Sequence, residues 1–151
     1  MKMFYPGISR EWVLDNQVIV YTLHSPQMAT LAAWSEEALA TLNAWPKDKP
    51  YLAVHNISQA GLGLLYCSAV EQDIFNIGVL PQARKQVNAI LAANPDWQVA
   101  LGLVVSGSVT GHLAKILYRQ LTHETQIQSK AFLYSDLALN WLTSCFRPQP
   151  V

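Results

Sequence analysis

Charge is what this 151-residue chain has least of: Asp, Glu, Lys and Arg together make up 13% of it, about half the share of an average globular domain. The ten acidic and ten basic residues cancel to a formal net charge of zero, which excludes a general attraction to nucleic acid or to an anionic membrane. Cysteine is nearly absent. Cys67 and Cys145 stand alone in apolar contexts, with no CxxC pair and no Cys/His grouping at a structural-zinc spacing, so neither a disulfide framework nor a metal centre is expected. Two buried thiols in a reducing compartment are the expectation. Long hydrophobic runs are missing too: no stretch of eighteen apolar residues is present to span a bilayer. The amino-terminal residues Met1 to Gly7 carry one lysine but no apolar signal core and no small-residue cleavage site. A soluble, cytoplasmic protein without a cofactor is the expectation.

What is present in quantity is apolar surface. Fifty-one per cent of the residues are hydrophobic and five are tryptophans. With so few charges to spread over the exterior, part of that surface is expected to be covered by a second copy of the chain or by another protein. The polar exterior could instead be built from the many Gln, Asn, Ser and Thr.

The length fits one domain with its own core. Trp12-Val13-Leu14 and Val18 to Leu23 flank Asp15-Asn16-Gln17 and predict a hairpin. Ser25 is expected to cap a helix that starts at Pro26 and runs to Trp45, with Leu31, Trp34, Ala38 and Leu42 on its inner face. Pro46 to Pro50 ends it, and Tyr51-Leu52-Ala53-Val54 reads as a buried strand. The stretch from Gln59 to Leu80 permits a loop, through Gly61 and Gly63, or a broken helix. A helix is predicted from Pro81 to Asn94, with Val87, Ile90 and Leu91 inward and Arg84, Lys85 and Asn88 outward.

The second half holds two strand-to-helix units. Val99 to Val105 predicts a strand in which Gly102 allows a close packing contact, and a helix is expected from about Gly111 to Leu121. Ile127 to Leu133 predicts the last strand, and Ser135 is expected to cap a last helix with Leu137, Trp141 and Cys145 on one side. The sum is a single α/β domain: a central mixed sheet of about five strands with about four helices, ordered over about residues 11–146. Such sheets bind ligands at the carboxyl ends of their strands.

This order resembles the STAS-like fold of anti-sigma-factor antagonists and of the cytoplasmic domains of sulfate transporters. The likeness is architectural and is carried best by the final strand, turn and helix, Ala131-Phe132-Leu133-Tyr134-Ser135-Asp136-Leu137-Ala138-Leu139-Asn140-Trp141-Leu142. It implies a non-enzymatic regulatory domain that acts by binding protein. In that family a serine or threonine just after the middle strand is often phosphorylated by a partner kinase, which implies a phosphoacceptor role for Ser58 in His55-Asn56-Ile57-Ser58. The acidic residue that the family carries two places earlier is Asn56 here. Read without the family, Ser58 simply bonds within its loop.

Three further groups invite functional readings. Ser106, Gly107, Ser108, Thr110 and Gly111 precede a predicted helix, and its free amides suit either an anion or an ordinary cap; no Walker or GxGxxG pattern completes them. His112, Lys115 and Arg119 recur at helical spacing and form either a partner-binding face or a solvated one. The apolar stretch from Gly61 to Val79 suits the lid of a pocket for a small apolar ligand, or else packs on the core or a dimer seam. An enzyme would need Ser58 or Ser106 as nucleophile, His55 or His112 as base and Asp73 or Asp136 as orienting acid. No G-x-S-x-G elbow is present, so a binding protein is expected, and the small-molecule carrier or sensor is the alternative.

Overall fold

Short runs of β-branched and aliphatic residues dominate the chain between its prolines, and they become the strands of one sheet. The computed structural model describes residues 2–59, 81–107 and 126–145. In chain order these form β1 (Lys2–Tyr5), β2 (Ile8–Val13), β3 (Val18–Leu23), α1 (Met28–Ala44), β4 (Tyr51–Asn56), α2 (Pro81–Ala93), β5 (Val99–Val104), β6 (Ile127–Phe132) and α3 (Ser135–Cys145). The architecture is α/β with a mixed six-stranded sheet, and three helices are present among the described residues. The fourth expected helix, residues 111–121, and the segment 61–79 lie outside the described residues, as does Cys67.

The strands lie side by side in sequence order. β1 and β2 are antiparallel to their successors, whereas β3, β4, β5 and β6 run parallel. A right-handed crossover that always steps in the same direction puts its helix on the same face every time. Accordingly α1 and α2 share one core, where Leu31, Trp34, Ala38 and Leu42 of α1 and Val87 and Leu91 of α2 meet Ile19, Tyr21, Tyr51, Ala53, Val99, Leu101 and Leu103. α3 follows the last strand and makes no crossover. It lies on the opposite face, with Ala138 and Leu142 buried against Val54, Ala100 and Val104. The predicted inner face of α1 is buried as expected, and so are Val87 and Leu91.

Several details correct the sequence reading. β1 is an additional strand: the chain doubles back at Pro6-Gly7, where Gly7 has φ +86° and a Cβ would come within 3.0 Å of the Ser25 side chain. Ser25 does not cap α1. His24 N–H donates to the Gly7 carbonyl at 2.7 Å, so residues 24–25 stay tied to the β1–β2 turn, and the cap position passes to Gln27, which makes no side-chain cap bond. Ser135 is likewise not the cap of α3, because the first helical bond, from Ala138 N–H, is accepted by the Tyr134 carbonyl. Cys145, expected as a buried thiol, is half-buried and free, with its pKa raised by burial against a smaller opposing effect of Lys130, and Leu137 is exposed.

Gly102 plays the part its sequence position suggested. A Cβ there would lie 3.1 Å from the Ala138 Cβ and 3.8 Å from the Phe132 ring, so the bare backbone is what lets α3 sit down on β5. Gly107, three residues past the same strand, has nothing within 4 Å of its would-be Cβ among the described residues. Gly102→Val is expected to lower stability by about 1–3 kcal/mol through overpacking, read as a lower urea midpoint. Gly107→Ala is expected to stay within about 0.5 kcal/mol of the parent.

Candidate functional site

The carboxyl ends of the four parallel strands form one edge of the sheet, and the expected site residues gather there where they are described. Ile57 N–H bonds the Val104 carbonyl at 2.9 Å and Val105 N–H bonds the Phe132 carbonyl at 2.9 Å, each extending the parallel ladder one residue past β4 and β5. Ser58 and Ser106 emerge immediately after those last ladder bonds, on neighbouring strands. Ser58 is exposed and is held from below: its hydroxyl donates to Asn56 Oδ1 at 2.6 Å and its amide donates to the same oxygen at 3.1 Å. This is the local side-chain turn that short polar residues make after a strand. Ser106 is half-buried and Gly107 exposed. Ser108, Thr110, Gly111, His112, Lys115 and Arg119, the remaining candidates of the anion-site and basic-face readings, lie outside the described residues.

On the same edge, after β6, the chain presents Leu133, Tyr134 and Leu137, three large exposed apolar side chains. They stand two strands away from Ser58, roughly 10 Å by strand spacing. The strand order advances without reversal, so among the described strands no topological switch point opens a crevice at this edge.

His55 and Asp136, two candidates for acid–base work, are kept apart by the sheet. The His55 register places its ring on the α1 face, where it is 2% exposed, edge-on to Trp34 at 4.8 Å and tilted against Tyr21 at 5.8 Å. Asp136 is exposed in the first turn of α3 on the other face. Among the described residues His55 Nε2 has no hydrogen-bond partner, and burial lowers the ring's pKa from the usual 6.5 to about 3. Tyr21, whose hydroxyl meets Thr41 Oγ1 at 2.7 Å, is pushed up to about 12, chiefly by burial. On the same face Arg10 of β2 pairs with Glu37 of α1. His24, after β3, is exposed with its Nε2 2.9 Å from the Ser9 hydroxyl. Among the described residues no three His, Cys, Asp or Glu side chains converge on a metal position, and no helix is long and apolar enough to cross a membrane.

At the opposite end of the sheet lies a cavity that the sequence reading did not find. It has a volume of about 490 Å³ and opens between the β2–β3 turn, at Asp15, Asn16 and Gln17, and the α1–β4 connector, at Pro46, Lys49 and Pro50. Trp12, Trp45 and Leu52 complete its lining. The signal that could have pointed to it is positional: Trp12 and Trp45 fall beside turn residues rather than in element interiors.

Comparison of the chain with protein-family models, with curated proteins and with solved structures finds no match. The site therefore has to be read from its own chemistry.

The buried histidine generates a pH prediction. Unfolded, His55 takes up a proton near pH 6.5; folded, it resists protonation down to about pH 3. Between those values the unfolded chain binds more protons, so this residue's contribution to stability is complete above pH 6.5 and falls as the pH drops, by up to about 1.4 kcal/mol per unit. Denaturant midpoints measured from pH 7 to pH 4 are expected to fall more steeply for the parent protein than for His55→Leu. Parallel slopes would contradict the assignment.

Proposed function

We propose that this chain is a STAS-like protein-interaction domain, that the carboxyl edge of its sheet is the contact surface, and that Ser58 is the phosphoacceptor that switches it. The observation that carries the reading is the pair of bonds from Ser58 to Asn56 Oδ1, which holds an exposed hydroxyl in a fixed position at the end of β4. The six-stranded α/β architecture and the helix that closes it agree with the resemblance drawn from the final strand and helix.

The chemistry of a switch at this position is specific. Transfer of a phosphoryl group from ATP by a partner kinase forms an Oγ–P bond, breaks the bond to ADP and removes the hydroxyl proton. The Ser58 side chain can then no longer donate to Asn56, while the Ser58 amide still does. The neutral Asn56 carboxamide does not carry the charge with which a carboxylate would repel the product. The added charge of nearly −2 falls on an edge that also bears the exposed side chains of Leu133, Tyr134 and Leu137. Apolar contact made by those three would be strengthened or lost according to the charge that the partner brings beside Ser58. A second copy of the chain, with the same serine across the interface, would be repelled.

The carrier or sensor reading draws on the segment 61–79, which lies outside the described residues. The cavity that is described sits at the other end of β4 from the point where that segment begins.

The experiment is to purify the chain from its host with phosphatases inhibited, to map phosphate on the peptide containing Ser58, and to compare assembly of the parent, Ser58→Ala and Ser58→Asp by native mass spectrometry. Phosphate on Ser58 is expected, together with a complex that Ser58→Ala retains and Ser58→Asp weakens tenfold or more. An unmodified Ser58 and identical assembly of all three proteins would sink the switch.

A further inference from the structure

The cavity between the β2–β3 turn and the α1–β4 connector is independent of the carboxyl edge, and its construction is that of a binding site. Its volume of about 490 Å³ lies within the range of small-molecule pockets, ~300–1,000 Å³. One wall is rigid. The Trp45 indole N–H donates to the Pro50 carbonyl at 3.0 Å, and the Trp97 indole N–H donates to the Lys49 carbonyl at 2.6 Å. Lys47 closes the end of α1 by donating to the carbonyls of Leu42, Asn43 and Trp45, with its ammonium 4.5 Å from the centre of the Trp97 ring. The connector from Pro46 to Pro50 is thus tied down from both ends before any ligand arrives, which lowers the entropic cost of binding.

The floor is a stacking platform. Trp12 and Trp45 lie 5.4 Å apart, only 26° from parallel, and Trp12 remains 43% exposed. Since its inner face is covered by Trp45, that exposure belongs to the outer face and the edge. Trp45 is 7% exposed, so the stacked pair offers a ligand one face, that of Trp12, rather than a slot that grips it from both sides.

The rim is rich in hydrogen-bonding groups that the protein itself does not use. Asp15, Asn16 and Gln17 are consecutive, exposed and without side-chain hydrogen bonds or ion pairs among the described residues, and the same holds for the Lys49 ammonium. The turn that carries them is wound tightly. Leu14, Asp15 and Asn16 have φ of 52°, 56° and 61°, and the Gln17 amide closes on the Leu14 carbonyl at 3.1 Å. Asp and Asn accept this left-handed backbone, but a leucine there is strained, and such strain collects beside functional surfaces.

These features together select a ligand class. One carboxylate and one ammonium leave the lining without net charge, which does not suit a polyphosphate. A planar aromatic ligand would gain most from a two-sided slot, and the site has one platform. A neutral ring with an apolar C–H face and hydroxyls around its edge uses everything present: the face lies on the Trp12 indole, and each hydroxyl, being both donor and acceptor, finds a carboxylate, a carboxamide or an ammonium. We infer that this cavity is a saccharide-binding site, with a sugar ring on the Trp12 indole, which Trp45 backs, and its hydroxyls held by Asp15, Asn16, Gln17 and Lys49.

The test is a nuclear magnetic resonance titration of the full chain with cellobiose, maltose and N,N′-diacetylchitobiose, with adenosine as a planar aromatic counter-probe. At least one of the three disaccharides is expected to shift the Trp12 indole signal and the amides of Asp15 to Gln17 saturably. Trp12→Ala, which removes the platform, is expected to weaken that binding tenfold or more. Gln17→Ala, an exposed turn substitution that leaves the core untouched, is expected to weaken it several-fold. Silence with all three disaccharides overturns the assignment. So does saturation by adenosine alone, or a saccharide response that Gln17→Ala leaves unchanged.

Discussion

A parallel ladder that advances one strand at a time, always in the same direction, is the constraint from which the rest of this structure follows. With β3, β4, β5 and β6 adjacent in sequence order, right-handed crossovers have no choice of side, and both described crossover helices must fill the same face. That face consequently becomes the thick one, holding Trp34, Tyr21, Tyr51 and Trp97, while the other is covered where α3 folds back. The same constraint denies the sheet a point at which its winding reverses. Ligand crevices in open α/β sheets arise at such reversals, and the described strands supply none.

The thick face carries the cost of its aromatic packing in polar groups. Tyr21 spends its hydroxyl on Thr41, while the indole N–H groups of Trp45 and Trp97 reach out to the connector carbonyls of Pro50 and Lys49. These last two bonds link the core to the cavity wall: an aromatic chain with ring centres 4.7–6.2 Å apart runs from Trp12 and Trp45, which line the pocket, through Tyr51 to Trp97 in the core. His55, at the other end of the same face, satisfies packing more fully than hydrogen bonding, and its lowered pKa follows from that imbalance.

How much of this was legible in the sequence depends on how local each feature is. β3 and the two buried parallel strands β4 and β5 are apolar runs bounded by turn residues, and they appear within a residue or two of where the pattern puts them. α1 reads correctly on its inner face because four buried residues recur at helical spacing. Its start does not, because Ser25 answers to the turn at Gly7, a contact between residues far apart in the chain. β1, four residues long with lysine in it, offers no alternation to read and exists because β2 gives it a partner. Ser58 and Asn56 are neighbours in sequence, so their pairing was within reach of local reasoning. The cavity was not. It is assembled from residues 12–17 and 45–52, and nothing in either segment announces that the other will face it.

The closeness of Gly102 to Ala138 has a consequence for how this sequence can drift. A methyl group at Gly102 would already press on the Ala138 Cβ, so neither position can grow while the other stays as it is. A larger side chain on β5 has to be matched by a smaller one on α3, or else the helix must lift from the sheet and take Leu142 with it out of the second core. The two residues, 36 positions apart, behave as a single heritable unit, and related chains that differ at one should differ at the other.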